Sequence, residues 1–148
     1  MTQRIHHHDM SYTISDDQSD VDVDAVHAFL KTSYWAKDVP LDIVKKSISG
    51  SHCFSLFDGE GAQVGFARIV TDHATCAYVN DVYVLEDHRG KGLARWLMET
   101  IMAHPDLQGL RRWVLLTADQ HIFYQKLGFQ SPSSPEWYME KSNPAPWL

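Results

Sequence analysis

The sequence predicts an α/β (α+β) fold in which a mixed, mainly antiparallel sheet carries helices on both faces. Three observations lead to this class. A strand pattern runs directly into a glycine-rich turn and a helix over Val82–Ala94, three strand patterns joined only by short turns fill residues 53–84, and two amphipathic helical patterns precede them in residues 22–50. The resulting order, β-α-α-β-β-β-α-β-α-β, fits a single domain with one sheet.

The first part of the chain predicts one short strand and two helices. Residues 12–15 form the strand pattern, and residues 22–31 place apolar side chains at helical spacing. Pro40 opens a second helix that Gly50 ends, because proline suits the first turn of a helix and glycine its end. Aromatic residues, including Tyr34 and Trp35, fill the connection between the two helices.

The middle of the chain predicts a meander of three strands over residues 53–57, 62–70 and 76–84. A turn-forming sequence, Asp58-Gly59-Glu60-Gly61, joins the first two strands, and residues 71–75 join the second to the third. The meander therefore ends at the glycine-rich turn.

The last part predicts a helix over residues 92–104, a strand over 112–116, a short helix over 121–127 and a final strand over 137–140. The single domain is expected to span residues 11–141. Residues 142–148 form a loosely ordered tail, and residues 1–10 a disordered arm or the remnant of a tag.

The glycine-rich turn has the composition of an anion-binding site. Gly90 and Gly92 adopt backbone angles that other residues avoid and let a phosphate approach the main chain, while the small Ala94 keeps the next step open. The N-terminus of the following helix offers unpaired N–H groups, and Arg89, Lys91 and Arg95 add positive charge. A pyrophosphate suits such a turn.

Two motifs in order resemble the GNAT superfamily of N-acetyltransferases. Arg89-Gly90-Lys91-Gly92-Leu93-Ala94 is similar to its acetyl-CoA pyrophosphate loop, and Phe123-Tyr124-Gln125-Lys126-Leu127-Gly128-Phe129 is similar to its last helix, in which a tyrosine lies beside the cofactor sulfur. The resemblance implies that residues 11–141 form an acyltransferase domain and that acetyl-CoA is the co-substrate, without a metal.

The same resemblance implies where the cofactor lies. Its pantetheine arm pairs with the main chain of the strand before the glycine turn, in a gap that this strand forms with a parallel strand. The family often has an asparagine seven residues before the tyrosine, and this chain has Thr117 there. The expected cofactor-binding residues are Val82, Tyr83, Val84, Arg89, Gly90, Lys91, Gly92, Leu93, Ala94, Arg95 and Thr117.

Catalysis requires a proton donor for the departing thiolate, an oxyanion donor and a base for the proton of the attacking amine. Tyr124 is the expected general acid, and a backbone N–H near Val84 or Leu85 the expected oxyanion donor. Asp81 is the first candidate for the base, with Glu86, His121 and solvent as alternatives. Tyr124 can also be a core aromatic, and Asp81 can simply bind a cationic substrate.

The acceptor side is expected to include Tyr34 and Trp35, whose aromatic faces suit an amine-bearing small molecule, although both can simply cover the core. The leading function is acetyl transfer to a primary amine of a small molecule. A protein or peptide amino group as acceptor and a non-catalytic acyl-CoA-binding module are the alternatives.

Composition limits the partners. The 148 residues are 44% hydrophobic and 22% charged, with a formal net charge of −6, which argues against nucleic-acid binding. Neither a membrane-spanning run nor an apolar signal segment is evident, so we expect a cytoplasmic protein with no membrane partner. The adjacent His6, His7 and His8 lack the fixed geometry of a metal site. A homodimer through sheet edges or the last strand stays open.

Overall fold

A computed structural model describes residues 2–144 and 146–147. The predicted N-terminal arm and C-terminal tail therefore each reach outside the described residues, at position 1 and at positions 145 and 148. The chain divides into two compact units, one up to Leu116 and one from Thr117 onward.

The first unit contains a six-stranded sheet in the order β1 to β6. Its strands are β1 (Arg4–His6), β2 (Thr13–Ser15), β3 (His52–Phe57), β4 (Gln63–Thr71), β5 (Cys76–Val84) and β6 (Arg112–Leu115). Neighbouring strands are antiparallel from β1 to β5, and β6 is parallel to β5. The predicted mixed, mainly antiparallel sheet is confirmed.

The described residues of this unit form three α-helices: α1 (Val23–Leu30), α2 (Leu41–Ser49) and α3 (Leu93–Met102). α1 and α2 bury Val26, Leu30 and Val44 in one cluster with Cys53 of β3. The next residue of β3, Phe54, contacts the ring of His104 just beyond α3. Because neighbouring residues of a strand point to opposite faces, α1 and α2 cover one face and α3 covers the other.

The N-terminal segment differs from the predicted disordered arm. Ile5 of β1 pairs with Ile14 of β2, and the ring of His7 lies edge-on against Trp96 of α3, with 4.7 Å between the ring centroids. The three-residue strand is too short to show a period in the sequence, and it is stabilised by residues far along the chain. The prediction of disorder is therefore wrong for Arg4–His6.

The second unit contains a short helix, α4 (His121–Gln125), and a 3₁₀ turn over Pro135–Trp137. The predicted final strand over residues 137–140 is wrong, because this segment holds the end of that turn and residues without regular structure. Pro135 accounts for the difference, since its fixed φ favours the first position of a turn.

Candidate functional site

The C-terminal part of β5 has one open edge. β5 pairs with β4 as far as Val84, whereas its parallel pairing with β6 runs from Cys76 opposite Arg112 only to Val79 opposite Leu115. In the described part of the chain, β6 therefore pairs with no β5 residue beyond Val79. This is the kind of edge at which an extended ligand can add main-chain hydrogen bonds.

The direction of the main-chain groups at this edge follows from one hydrogen bond. The N–H of Leu85 donates to the carbonyl oxygen of Val64 at 2.8 Å, so it belongs to the sheet and is not free for an oxyanion. In an antiparallel ladder the neighbouring residue turns its N–H and C=O the other way. Val84 therefore directs these groups toward the open edge, and Leu85 is corrected as an oxyanion donor.

The carbonyl oxygen of Val84 already has one partner. The Nε atom of Arg89 donates to it at 2.8 Å, so the arginine lies against the end of β5. A carbonyl oxygen has a second lone pair that a ligand amide can use. Arg89 thus joins the glycine turn to the edge where the pantetheine arm is expected.

The glycine turn leads into α3 through left-handed backbone. Gly90 has φ of 78° and Gly92, the N-cap of α3, has φ of 77°. No side chain caps this helix, so none of the four N–H groups of the first turn has a side-chain partner at the cap. Leu93 is buried and anchors the helix, while Gly90 and Gly92 are exposed. Such a turn presents N–H groups to an anion.

The basic side chains near the turn are held by neighbours. Lys91 Nζ donates to the hydroxyl oxygen of Tyr12 at 3.2 Å, and that hydroxyl lies 2.8 Å from Nδ1 of His88. Arg95 pairs with Glu99 one turn along α3, at 2.6 Å on the exposed face. Tyr12 and His88 escaped the sequence analysis, because Tyr12 lies 79 residues from Lys91 and 76 from His88.

Tyr83 belongs to the core. It is 5% exposed, and its ring stacks on Phe29 of α1 with 3.9 Å between the centroids. Burial raises the pKa of its phenol far above the ordinary value, and the nearby carboxylates of Asp22 and Asp81 add to the effect. Tyr83 therefore stays neutral, and only its main chain can serve the cofactor.

Asp81 lies in a bulge of β5. Phe66 pairs with Tyr83 and Arg68 with Asn80, so β5 has one residue more than β4 between these pairs. Asp81 has a left-handed φ of 53° there. Its Oδ2 accepts a hydrogen bond from Arg68 Nε, and its Oδ1 accepts one from Trp35 Nε1, both at 2.8 Å.

The two aromatic residues expected on the acceptor side lie together between α1 and α2. The rings of Tyr34 and Trp35 meet edge-on, with 5.1 Å between the centroids, and they are 61% and 41% exposed. The indole N–H of Trp35 reaches Asp81, so the connection contacts the bulge of β5. The structure thereby brings Trp35 and Asp81 together, while Arg68 is a residue that the sequence analysis missed.

Tyr124 and Thr117 lie in the second unit. The ring of Tyr124 is half-buried and meets Phe123 and Phe129 edge-on, at centroid distances of 4.9 and 5.7 Å. Thr117 Oγ1 accepts a hydrogen bond from the N–H of Gln120 at 3.0 Å, which supports the start of α4. The aromatic neighbours of Tyr124 support its ring on two sides.

A buried cluster of Asp16, His52 and His104 lies at the end of α3 opposite to the glycine turn. Asp16 Oδ2 is 2.8 Å from His52 Nε2 and 2.7 Å from His104 Nε2. The N–H of Asp106 donates to His104 Nδ1 at 3.0 Å, so the neutral ring carries its hydrogen on Nε2 and donates it to Asp16. The two hydrogen bonds together fix the orientation of the His104 ring.

Hydrogen bonds set the charge state of the cluster. Burial alone would raise the pKa of Asp16, but hydrogen bonds from the Gln3 N–H, His52 and His104 outweigh it and lower the pKa below its ordinary value. Burial lowers the pKa of His52, although its bond to Asp16 opposes the effect. The cluster therefore favours an ionised Asp16 and a neutral His52.

A family model described as an acetyltransferase (GNAT) domain matches residues 49–131, which is more than half of the chain. This range includes the glycine turn and α4. The chain belongs to the GNAT acetyltransferase family. The resemblance seen in the two motifs is thus confirmed, and the GNAT protein is an acyltransferase.

Known proteins agree with this membership. A Gibberella zeae protein, the acetyltransferase candidate FG08082, is 35% identical over 142 residues, covering 80% of this chain and 79% of its own. A crystal structure of a GNAT-family protein from Xanthomonas campestris pv. campestris is 45% identical, with a TM-score of 0.88 over 95% of this chain and 96% of that chain.

A GNAT structure from Elizabethkingia anophelis, described with acetyl-CoA bound, has a TM-score of 0.64 over 88% of this chain and 86% of that chain. At 13% identity it shares the fold alone. Separately, the described helices of the GNAT protein include none with the length and apolar character needed to cross a membrane.

Proposed function

We propose that this GNAT protein transfers the acetyl group of acetyl-CoA to a primary amine of a small molecule, by direct attack in a ternary complex. The observation that carries the proposal is the turn at Gly90 and Gly92. Its left-handed residues open α3 without a side-chain cap, so main-chain N–H groups are available to an anion. The likeness to a fold described with acetyl-CoA bound supports the choice of anion.

The pyrophosphate is assigned to this turn, and residues 89–95 surround it. Arg89, Lys91 and Arg95 contribute positive charge, and the two glycines have no heavy atom within 4 Å of the position that a Cβ would take. A doubly charged group therefore meets exposed main chain and cations together. Helix dipoles add roughly 0.3–1 kcal/mol in such exposed positions.

The pantetheine arm is assigned to the open edge of β5, along Val82, Tyr83 and Val84. The arm's amides would pair with main-chain groups that β6 does not reach, as an added strand does. The N–H of Val84 points to this edge and is the proposed donor to the tetrahedral oxyanion. Thr117 is the proposed further contact to the arm.

The reaction needs a neutral amine to attack the thioester carbonyl, after which the tetrahedral intermediate collapses and the C–S bond breaks. Tyr124 is the proposed general acid that gives its phenolic proton to the departing sulfur. A phenol has an ordinary pKa of about 10 and a thiol one of about 8.5, so transfer requires a site that favours the phenolate. The proton of the amine passes to Glu86, His121, solvent or Asp81.

The proposal extends to the acceptor side and to the setting of the protein. Tyr34 and Trp35 are assigned to the acceptor side, where exposed aromatic faces suit an ammonium group or the apolar part of an amine. That residues 11–141 act as one acyltransferase domain, that the protein is cytoplasmic and that two copies pair through sheet edges are predictions from the sequence.

A thiol-release screen tests the function. Acetyl-CoA is incubated with the protein and separate panels of small amines, amino acids, polyamines and peptides, with hydrolysis without amine as the blank. We expect at least one small amine to raise thiol release more than about tenfold over the blank, with the acetylated amine detected by mass. Thiol release with peptides alone would mean that the acceptor is a peptide amino group and not a small amine. No release with any amine would contradict the proposal.

A further inference from the structure

Three side chains from separate parts of the chain meet where β5 leaves β6. Trp35 comes from the connection between α1 and α2, Arg68 from β4 and Asp81 from the bulge of β5. Each oxygen of the Asp81 carboxylate accepts one hydrogen bond, Oδ1 from the indole N–H and Oδ2 from the guanidinium, both at 2.8 Å. The ion pair is well shielded, with side-chain exposures of 17% for Arg68 and 9% for Asp81.

Arg68 is itself fixed in place. Its Nη1 donates to Ser51 Oγ at 3.1 Å, just before β3, while its Nε holds Asp81. A guanidinium bound at two points keeps a defined orientation, because its donors lie in one rigid plane. The carboxylate of Asp81 is therefore held against a stable part of the sheet.

The connection that carries Trp35 is anchored at both ends. The N–H of Ala36 donates to Ser33 Oγ at 3.1 Å, and the buried Val39 has its carbonyl oxygen 2.9 Å from His27 Nε2. Trp35 lies between these anchors and ties the middle of the connection to β5. Trp35 is 41% exposed.

The backbone of Asp81 also indicates a specific role. A φ of 53° is uncommon for residues other than glycine, and it persists where surrounding contacts determine it. Here the bulge and the two hydrogen bonds supply those contacts. A base that receives a proton from an amine must be reached by that amine, whereas the Asp81 side chain is only 9% exposed and both of its oxygens already hold neighbouring side chains.

We propose that Asp81 is a positioning residue and not the general base of the reaction. Paired with Arg68, it holds the indole N–H of Trp35 and so fixes the aromatic wall that meets the acceptor amine. The inference rests on the proposed function, because it concerns the acceptor side of the same reaction. It removes Asp81 from the candidates for the base, which leaves Glu86, His121 and solvent, and it adds Arg68 to the residues of the acceptor side.

Hydrogen exchange tests the contact without relying on activity. Trp35→Phe keeps an aromatic ring but removes the donor. Asp81→Asn keeps a residue that tolerates positive φ and, with its one remaining oxygen held by Arg68, turns an NH2 group toward the indole N–H. We expect amide exchange in residues 33–39 to accelerate about tenfold or more in both variants. Asp24→Asn, the same substitution on the exposed side of α1, should leave exchange there unchanged. Unchanged exchange in the two test variants would overturn the proposal.

Kinetics with the amine found in the screen separates positioning from proton abstraction. We expect both test variants to raise the acceptor KM about tenfold, which corresponds to ~1.4 kcal/mol, while kcat and the pH profile of kcat/KM keep their wild-type form. The acceptor KM of the double variant should equal that of each single variant, because all three lose the same hydrogen bond between Trp35 and Asp81. If Asp81 were the base, Asp81→Asn would lower kcat more than about 100-fold and remove the acidic limb of the pH profile of kcat/KM. Trp35→Phe would then have wild-type kinetics.

The hydrogen-exchange and kinetic experiments also distinguish a failure of this inference from a failure of the proposed function. If the wild-type protein acetylates no amine, the proposed function fails, and hydrogen exchange alone decides whether Asp81 holds the connection. If the wild-type protein is active and Asp81→Asn loses the acidic limb, the proposed function stands and the positioning role is wrong.

Discussion

Tyr124 illustrates how one side chain can serve packing and chemistry at once. Its ring contacts Phe123 and Phe129, and the residue is only half-buried. A buried phenol such as Tyr83, with its raised pKa, gives up a proton less readily. Exposure and support together suit Tyr124 for the role of general acid.

At the residue scale we therefore predict that Tyr124→Phe lowers kcat by about 10²–10⁴-fold, the usual contribution of a positioned acid. The aromatic ring remains, so the dissociation constant for acetyl-CoA should change by less than about twofold. Steady-state thiol release gives kcat, and calorimetry gives the affinity. Tyr78→Phe on β5 removes a phenol in the first unit and should have wild-type kcat, and an unreduced kcat in Tyr124→Phe would contradict the acid role.

At the scale of the element, the junction of β5 with α3 combines two properties that separate strands and helices lack. The strand has main-chain groups at an open edge, and the helix has N–H groups at its uncapped start. The two glycines between them carry φ values near 78° that side chains rarely adopt. One continuous ligand with amides and a pyrophosphate can use both sets of groups.

We predict that Gly92→Glu weakens acetyl-CoA binding more than about tenfold, because a carboxylate repels the pyrophosphate and fills its space. The left-handed backbone also costs roughly 1–2 kcal/mol of stability in any such substitution. Gly109→Glu is the matched control, since Gly109 has φ of 72° and equally open space but lies beyond α3.

Calorimetry with acetyl-CoA and thermal unfolding separate the two effects. Both glycine variants should lose comparable stability, and only Gly92→Glu should lose affinity. Equal affinities in the two variants would place the pyrophosphate elsewhere.

At the scale of the whole molecule, the cluster of Asp16, His52 and His104 joins distant segments. It links the segment after β2, the start of β3 and the end of α3, and the N–H of Gln3 brings in the N-terminal strand. Asp16 is 7% exposed and its pKa is lowered in the folded protein, so its charge state is coupled to folding.

The direction of the coupling follows from the two pKa shifts. Both the Asp16 and His52 pKa values are lowered in the folded protein, so the unfolded chain binds more protons as pH falls. We predict that the free energy of unfolding declines below about pH 6.5, through His52, and again below about pH 3.9, through Asp16. The stabilisation is thus complete above the unfolded-state pKa of each group. It is lost as the pH falls through the lower pKa that the group has in the folded protein.

Denaturant unfolding between pH 8 and pH 3 measures this dependence. His52→Gln should reduce the first decline, whereas His121→Gln, on the exposed surface of the second unit, should retain it. A free energy of unfolding that rises as the pH falls from 7 to 5 would contradict the shift for His52.

Most elements could be predicted because their signals are local. The meander, the helices and the glycine turn depend on side-chain periods of 2 and 3.6 residues and on glycine's access to positive φ. The failures at Arg4–His6 and at residues 137–140 have local causes too. The first strand is too short to show a period, and Pro135 favours a turn where the pattern indicated a strand.

The sequence by itself determined the family, the class of sheet and the position of the anion-binding turn, since each depends on residues close together in the chain. Only the tertiary structure decided that Leu85 is used by the sheet, that Val84 faces the open edge and that Arg68 and Trp35 hold Asp81. The physical reason is that a hydrogen bond can join residues at any separation in the sequence, and no local pattern indicates its partner. Trp35 and Asp81 lie 46 residues apart, and only folding sets their 2.8 Å contact.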